Sequence, residues 1–384
     1  IQLALEETEI PLPDGVDFFF GTSVYRGTYE RTGIVDATAP REVNGYYWRY
    51  ETAGPIEAAP VVFGTSVYVG TTEGTFFALD QTTGNEIWTM PPEGRIGAAP
   101  ALGEGEMAEN QAPMMIVVVD DDGAVRGHDA AVSTGVQWTT RLDSRIRSSP
   151  VIVEGRVYLA TDEGFVHALD LISGDEIWRF PSDGADLGTI SADLAFHNGI
   201  LYVATEEGFL HLIDVAGDTP SEVCQFDAFD PIVTNPIVTE DVTYVATMGQ
   251  NIWPLPTGAC DGNVPGRLPT YVADTPVRVG PAIVGDTIYM PGGRYLYSID
   301  LTSGEHLWEP SKVTAEAPIS TPPVVTADTV YVASEDGVVR AVDAISGETL
   351  WQWQTGLHVR AAPAVVDGVV FIAAGDGYVY AVGP

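Results

Sequence analysis

Lysine is almost missing from this chain of 384 residues. Lys312 is the only one, set beside 16 arginines and 54 acids, and the net charge is −37. Such a surface repels nucleic-acid phosphates and anionic membranes, which argues against both as partners. Acid-rich, lysine-poor surfaces suit high salt, and arginine also replaces lysine in GC-rich genomes; the residues leave both explanations open. Cysteine is scarce too. Cys224 and Cys260 are the only two, too few for a disulfide scaffold and without zinc-ligand spacing. No run of 18 apolar residues occurs, so no segment is expected to span a membrane. The N-terminus lacks the charged and apolar regions of a leader. The expectation is a mature chain whose signal peptide or anchor was removed or lies outside this sequence. No Ser–His–Asp order, nucleotide loop or HExxH pattern appears, so no reaction can be argued from motifs.

Glycine, proline and short apolar runs are abundant. There are 41 Gly and 27 Pro in a chain that is 45% hydrophobic, which favours a turn-rich β protein with ample core. Length alone suggests two or three domains, but a repeat overrides that count. The stretches "VYVGTTEGTFFALDQTTGNEIWTM" (67–90), "VYLATDEGFVHALDLISGDEIWRF" (157–180) and "VYVASEDGVVRAVDAISGETLWQW" (330–353) are near copies. Each unit holds four runs rich in Val, Tyr, Phe and Ile, separated by Gly and Asp turns, and so reads as four antiparallel strands, A to D. Acidic-Gly turns join B to C, where Gly supplies a positive φ. "D-x-x-[ST]-G" joins C to D, with Asp80, Asp170, Asp300 and Asp343 bonding forward in Asx-turns.

Trp88, Trp138, Trp178, Trp308 and Trp351 mark the D strands, and two units end near Cys224 and Cys260 instead. Seven complete units are followed by one that stops after strand C, at residue 382. The missing D strand is found at the other end, as "YYWRYET" (46–52) with Trp48. A ring of sheets leaves no open end, so the two termini should share one blade. The expected fold is all-β: a single eight-bladed β-propeller of four-stranded blades over 44–384, with 1–43 as an extended lead-in packing on its rim or bottom. Two separate β-sandwiches would not explain the complementary ends. The Trp of each blade should wedge against the next.

These residues resemble the quinoprotein-like, or PQQ-like, β-propeller repeats over roughly 44–384. The C–D segments 78–88, 168–178, 298–308 and 341–351 look like that family's tryptophan-docking motif, and "VYRGTYERTG" (24–33) looks like its Arg-Gly…Arg-Thr-Gly lead-in. The resemblance implies one of three kinds. Some members are dehydrogenases holding pyrroloquinoline quinone and Ca²⁺ on the axis. Others are scaffolds such as the outer-membrane assembly lipoprotein of the BAM complex, and others are sensor ectodomains of membrane kinases. The dehydrogenases carry adjacent cysteines and long insertions, and this chain has neither. The expectation is therefore a non-catalytic binding scaffold or sensor, extracellular, periplasmic or at the cell surface, with no cofactor. The alternatives are a quinoprotein oxidoreductase and a fragment of a kinase ectodomain.

Five arginines fall just before strand A, the innermost strand: Arg95, Arg145, Arg147, Arg278 and Arg360, with His358 and Glu57 at comparable places. They should encircle the mouth of the central channel. Arg forks suit carboxylates and phosphates, so the expected ligand is a small anion or a protein partner's acidic segment. The alternative is that they pair with nearby acids and fix blade packing. Asp120, Asp121 and Asp122 form a candidate Ca²⁺ cluster, weighed against a solvated turn. His167 and His211, at matching places on neighbouring C strands, are a weaker metal candidate. Cys224 and Cys260 fall near the expected Trp sites of consecutive blades and are candidates for a disulfide, weighed against two buried thiols.

Overall fold

The structure is a computed structural model. It describes residues 22–23, 31–91, 93–104, 113–130, 135–262, 264–267, 270–272, 275–308 and 312–384. The lead-in stretches "IQLALEETEIPLPDG" and "FFFGTSVYRG" lie outside them, Thr22–Ser23 excepted.

Blade 3 shows how the repeat folds. Its strands are Val151–Val153, Arg156–Ala160, Val166–Asp170 and Glu176–Phe180, each paired antiparallel to the next. Successive side chains of a strand point to opposite faces. Val157, Leu159 and Leu169 pack into a cluster with Val117, Val119 and Trp138 of blade 2. Tyr158, Ala160 and Ala168 pack into another with Leu201, Val203 and Ile213 of blade 4. Both faces of the sheet are buried, and that is why these strands are apolar throughout instead of alternating.

Eight sheets account for the strands of the described residues, seven of four strands and one, blade 1, to whose strand A Thr22–Ser23 adds a fifth, so the fold is the expected eight-bladed propeller. Blades 1 to 7 span 61–90, 101–141, 151–180, 195–227, 237–272, 282–314 and 324–354. Blade 8 combines Ala364–Val366, Val369–Ala373 and Tyr378–Gly383 with Gly45–Glu51 from the N-terminus. There Trp48 sits opposite Ala381, after a register shift. The described residues divide into two compact units: 22–23, 32–97 and 279–384 hold blades 1, 6, 7 and 8, while 31 and 98–278 hold blades 2 to 5. The described part of the lead-in meets A strands and the residues just before them. Arg31 is buried and donates to the carbonyls of Leu194 and Pro150 at 3.0 and 3.4 Å. In the first unit, Ile34 bridges Val325, and the Ile283 amide donates to Thr32 O.

Within each unit the blades are joined by one recurring contact. A D-strand Trp faces a small residue of its own strand C, as Trp138 faces Gly127 and Trp351 faces Ala341. Its indole N–H then reaches the C–D link of the next blade. Trp48 donates to Gln81 O at 2.8 Å, Trp138 to Leu171 O at 2.9 Å and Trp308 to Ala344 O at 3.1 Å. Under each ring lies the glycine three residues further on. A Cβ on Gly84, Gly174 or Gly347 would stand 2.4–2.6 Å from the indole. Trp351 donates instead to Pro40 O, because the C–D link of blade 8 is the chain break and the lead-in stands in for it. Trp178 is buried without a partner for its N–H. Burying an indole stabilises by about 4–6 kcal/mol by area, against about 1 for the bond, so burial wins where the two conflict. Trp88 packs on Tyr68 and Phe76.

The C–D turns form as their sequence suggests. Asp343 Oδ1 accepts the amides of Ile345 and Ser346 while Oδ2 takes Arg41 at 2.7 Å. The Arg41 bond, then these amides, hold its pKa at about 2. A carboxylate pKa lowered by folding adds stability above its unfolded value near 4, and that stability is lost as pH falls toward 2. Two outcomes are expected. Gly174→Ala, which meets both positive φ and the Trp138 ring, should cost about 3 kcal/mol in denaturant melts, and Gly184→Ala, at similar φ but in open space, about 1. Asp343→Asn should lower the melting temperature at pH 7 and flatten its decline between pH 4 and 2, as followed by calorimetry.

Candidate functional site

Strand order places every B–C turn and every link from strand D to the next strand A at the same end of a blade. One backbone bond recurs there. The amides of Thr72, Asp162, Glu206, Met248, Glu335 and Gly375, all on B–C turns, donate to the carbonyls of Pro55, Arg145, Thr189, Pro231, Pro318 and His358 on D–A links. This bond holds the acidic turns beside the arginine links.

In the first unit the arginines gather on Glu57. Arg95 pairs with it, Arg360 reaches it at 2.9 Å and Glu335 at 3.0 Å, and His358 lies 3.8 Å away. In the second unit Arg145 pairs with Asp121 at 2.9 Å, and Arg147 spans Asp162 at 2.7 Å and Glu206 at 3.3 Å. Arg147 and Arg360 therefore each bridge acids of different blades while staying 36% and 47% exposed. Bonds to the neighbouring acids raise the pKa of both guanidinium groups against partial desolvation. Arg278 is exposed and has no ion pair among the described residues. Two large apolar side chains share these links: Phe229, 78% exposed, and Leu357, 56% exposed. Sequence reading passed over both, since only their exposure on a link sets them apart from core residues.

The other candidates disperse. The Asp120 carboxylate is buried, accepts the amides of Asp122 and Ala124 at 3.0 Å, and pairs with buried Arg126 at 2.6 Å. Asp121 faces Arg145 instead, so the three acids share no centre. His167 and His211 bond separately to Glu176 and Glu222, each at 2.7 Å. Burial lowers the pKa of His167 despite its carboxylate neighbour, which raises it. No group of three His, Cys, Asp or Glu that could hold a metal occurs among the described residues.

Cys224 and Cys260 form a disulfide. Cys224 lies on strand D of blade 4 opposite Leu212, with the register shift that accompanies Trp178 in blade 3. Cys260 is not on strand D of blade 5, as counting predicted. It lies in the C–D link, because that strand D is only Tyr271–Val272 and comes later. A cavity of about 510 Å³ adjoins it, lined by Phe226, Trp253, Leu255, Val264 and Arg267 among others. The two cysteines are thus 36 residues apart and bonded to each other, unlike the adjacent pair expected of the quinone dehydrogenases.

An exposed arginine with two carboxylates can exchange one of them for an incoming acid, whereas a buried pair cannot be opened cheaply. Asp120→Asn is accordingly expected to cost about 3 kcal/mol in urea melts, and Arg147→Ala under about 1.

Comparison with known proteins agrees with this architecture. The family model described as "Outer membrane protein assembly factor BamB" matches residues 31–179, 162–311 and 261–384. The BamB of Bordetella pertussis is 23% identical over 333 residues, 83% of this chain and 81% of that protein. The serine/threonine-protein kinase AfsK of Streptomyces griseus is 30% identical over 152 residues, covering 37% of this chain and 17% of the kinase. The crystal structure of the quinohemoprotein alcohol dehydrogenase of Comamonas testosteroni superposes with a TM-score of 0.74 at 17% identity, over 94% of this chain and 80% of that one, a likeness of fold alone. With family matches running from residue 31 to the C-terminus, the chain belongs to the BamB-type family of PQQ-like propellers.

Proposed function

We propose that this propeller is a non-catalytic binding scaffold working outside the cytoplasm, and that it holds an acidic segment of a protein partner against its D–A links. The observation that carries this reading is the sharing of Arg147 and Arg360, each exposed and each bridging two acids. Leu357, on the Arg360 link, and Phe229, on the link between blades 4 and 5, favour a protein over a small anion, since exposed apolar anchors on a polar face are typical of protein interfaces. The family-wide match to an outer membrane assembly factor supports a scaffold role, and the disulfide supports an oxidising compartment.

The likeness to a quinohemoprotein dehydrogenase favours a second reading, oxidation through pyrroloquinoline quinone. Here it is the runner-up, because the cysteines are spent on each other at a blade joint. Mixing the protein with pyrroloquinoline quinone and Ca²⁺ should leave no bound quinone absorbance after gel filtration and no dye-linked alcohol oxidation. Retention with turnover would reverse the choice.

For the scaffold, a Glu/Asp-rich peptide of about twelve residues serves as probe. The variant with Arg147, Arg278 and Arg360 all changed to Ala should bind it at least about 10-fold more weakly, ~1.4 kcal/mol, with a shallower salt dependence. Unchanged titration curves would remove the arginine links from the reading.

A further inference from the structure

The joint between blades 4 and 5 departs from the Trp48, Trp138 and Trp308 joints on both sides at once. Elsewhere the link after strand C begins with a residue whose amide donates back to the A–B or B-strand region of the same blade: Gln81 to Thr65 O, Leu171 to Gly155 O, Ala344 to Asp328 O. In blade 5 that residue is Thr257, donating to Asp241 O. Three residues further on stand Gly84, Gly174 and Gly347, each under the ring of the preceding blade's Trp. Three residues beyond Thr257 stands Cys260. Cys224 holds the place of the Trp, opposite Leu212 in register. The Trp-on-Gly contact has thus been exchanged, residue for residue, for Cys224–Cys260.

We propose that this disulfide is a redox-dependent lock of the blade 4–blade 5 joint, closed when oxidised and released by a dithiol reductant. Indole burial and an indole N–H bond hold the Trp48, Trp138 and Trp308 joints in any redox state. At this joint both are missing. Reduced, Cys224 and Cys260 would be two small side chains with far less area to bury than an indole, leaving the joint to the apolar cluster of Leu212 and Phe226 with Val245, Trp253 and Leu255 and to the Gly258 amide donating to Tyr202 Oη at 3.0 Å. Both cysteines are half-buried, and the adjoining cavity, open to solvent, brings a reductant to Cys260. The step balances by thiol–disulfide exchange. A thiolate of the dithiol attacks one sulfur, the Cys224–Cys260 bond breaks, and the second thiol closes the reagent into its own disulfide. Two electrons and two protons pass to the protein, leaving two thiols.

Hydrogen exchange read by mass spectrometry on the whole chain, with and without dithiothreitol, tests this. Reduction should speed exchange at least about 10-fold in peptides covering 221–226 and 256–262, and leave those covering Trp138 and Gly174 unchanged. Equal protection in both states would overturn the lock. Loss of protection everywhere would overturn it as well, since the bond would then be a staple of the whole fold. A double variant, Cys224→Trp with Cys260→Gly, supplies the second readout. It should keep 256–262 protected with or without dithiothreitol. If that segment exchanges as in the reduced wild type, the exchange of one joint for the other is refuted.

Discussion

The fold depends on how one blade is fastened to the next. A four-stranded sheet with both faces apolar is not stable alone, and each face here finds its cover in a neighbouring sheet. The Trp-on-Gly contact sets the spacing of that cover. The ring fills the gap beyond the D strand, the glycine lets the next blade's turn come within van der Waals reach, and the indole N–H satisfies a carbonyl at the turn. Replacing only one member would leave a hole or a clash. At the blade 4–5 joint both members have changed together, whereas the blade 3–4 joint keeps Trp178, its N–H without a partner, and carries Asp218 where the glycine would stand.

The same constraint shapes the ends of the chain. Splitting blade 8 puts its D strand, Gly45–Glu51, before everything else and leaves its C–D link broken. Trp351 would lose its acceptor, yet Pro40 supplies one from the lead-in, and Arg41 next to it ties Asp328 and Asp343. The lead-in is thus part of the fastening of blade 8 and not only a tether.

At the opposite end of the strands the chemistry changes from apolar to charged. The D–A links are pinned by backbone bonds to the acidic turns, which puts guanidinium and carboxylate groups within reach of each other. In a chain with such an excess of acid, most arginines near these turns find carboxylates. Two kinds of pair result. Arg126–Asp120 is buried and belongs to the frame of blade 2. Arg147 and Arg360 are exposed and shared, and the proposed binding role rests on that difference in solvent access.

Much of this was legible in the residues. The number of strands, the Gly-bearing turns, the Asx-turn aspartates and the sharing of blade 8 follow from patterns about 24 residues long, because hydrophobic periodicity and positive-φ turns act locally. Misreading began where the local pattern lapses. In blade 5 the "D-x-x-[ST]-G" link is gone and strand D is short, so counting put Cys260 on that strand. Only the Thr257–Asp241 bond places it in the link. The partners of the arginines were likewise out of reach: Arg360 meets Glu57 across 303 residues. Local sequence decides what each blade is. Which acid faces which arginine, and which cysteine replaces which glycine, is decided when the sheets pack, since those contacts join residues that no stretch of chain brings together.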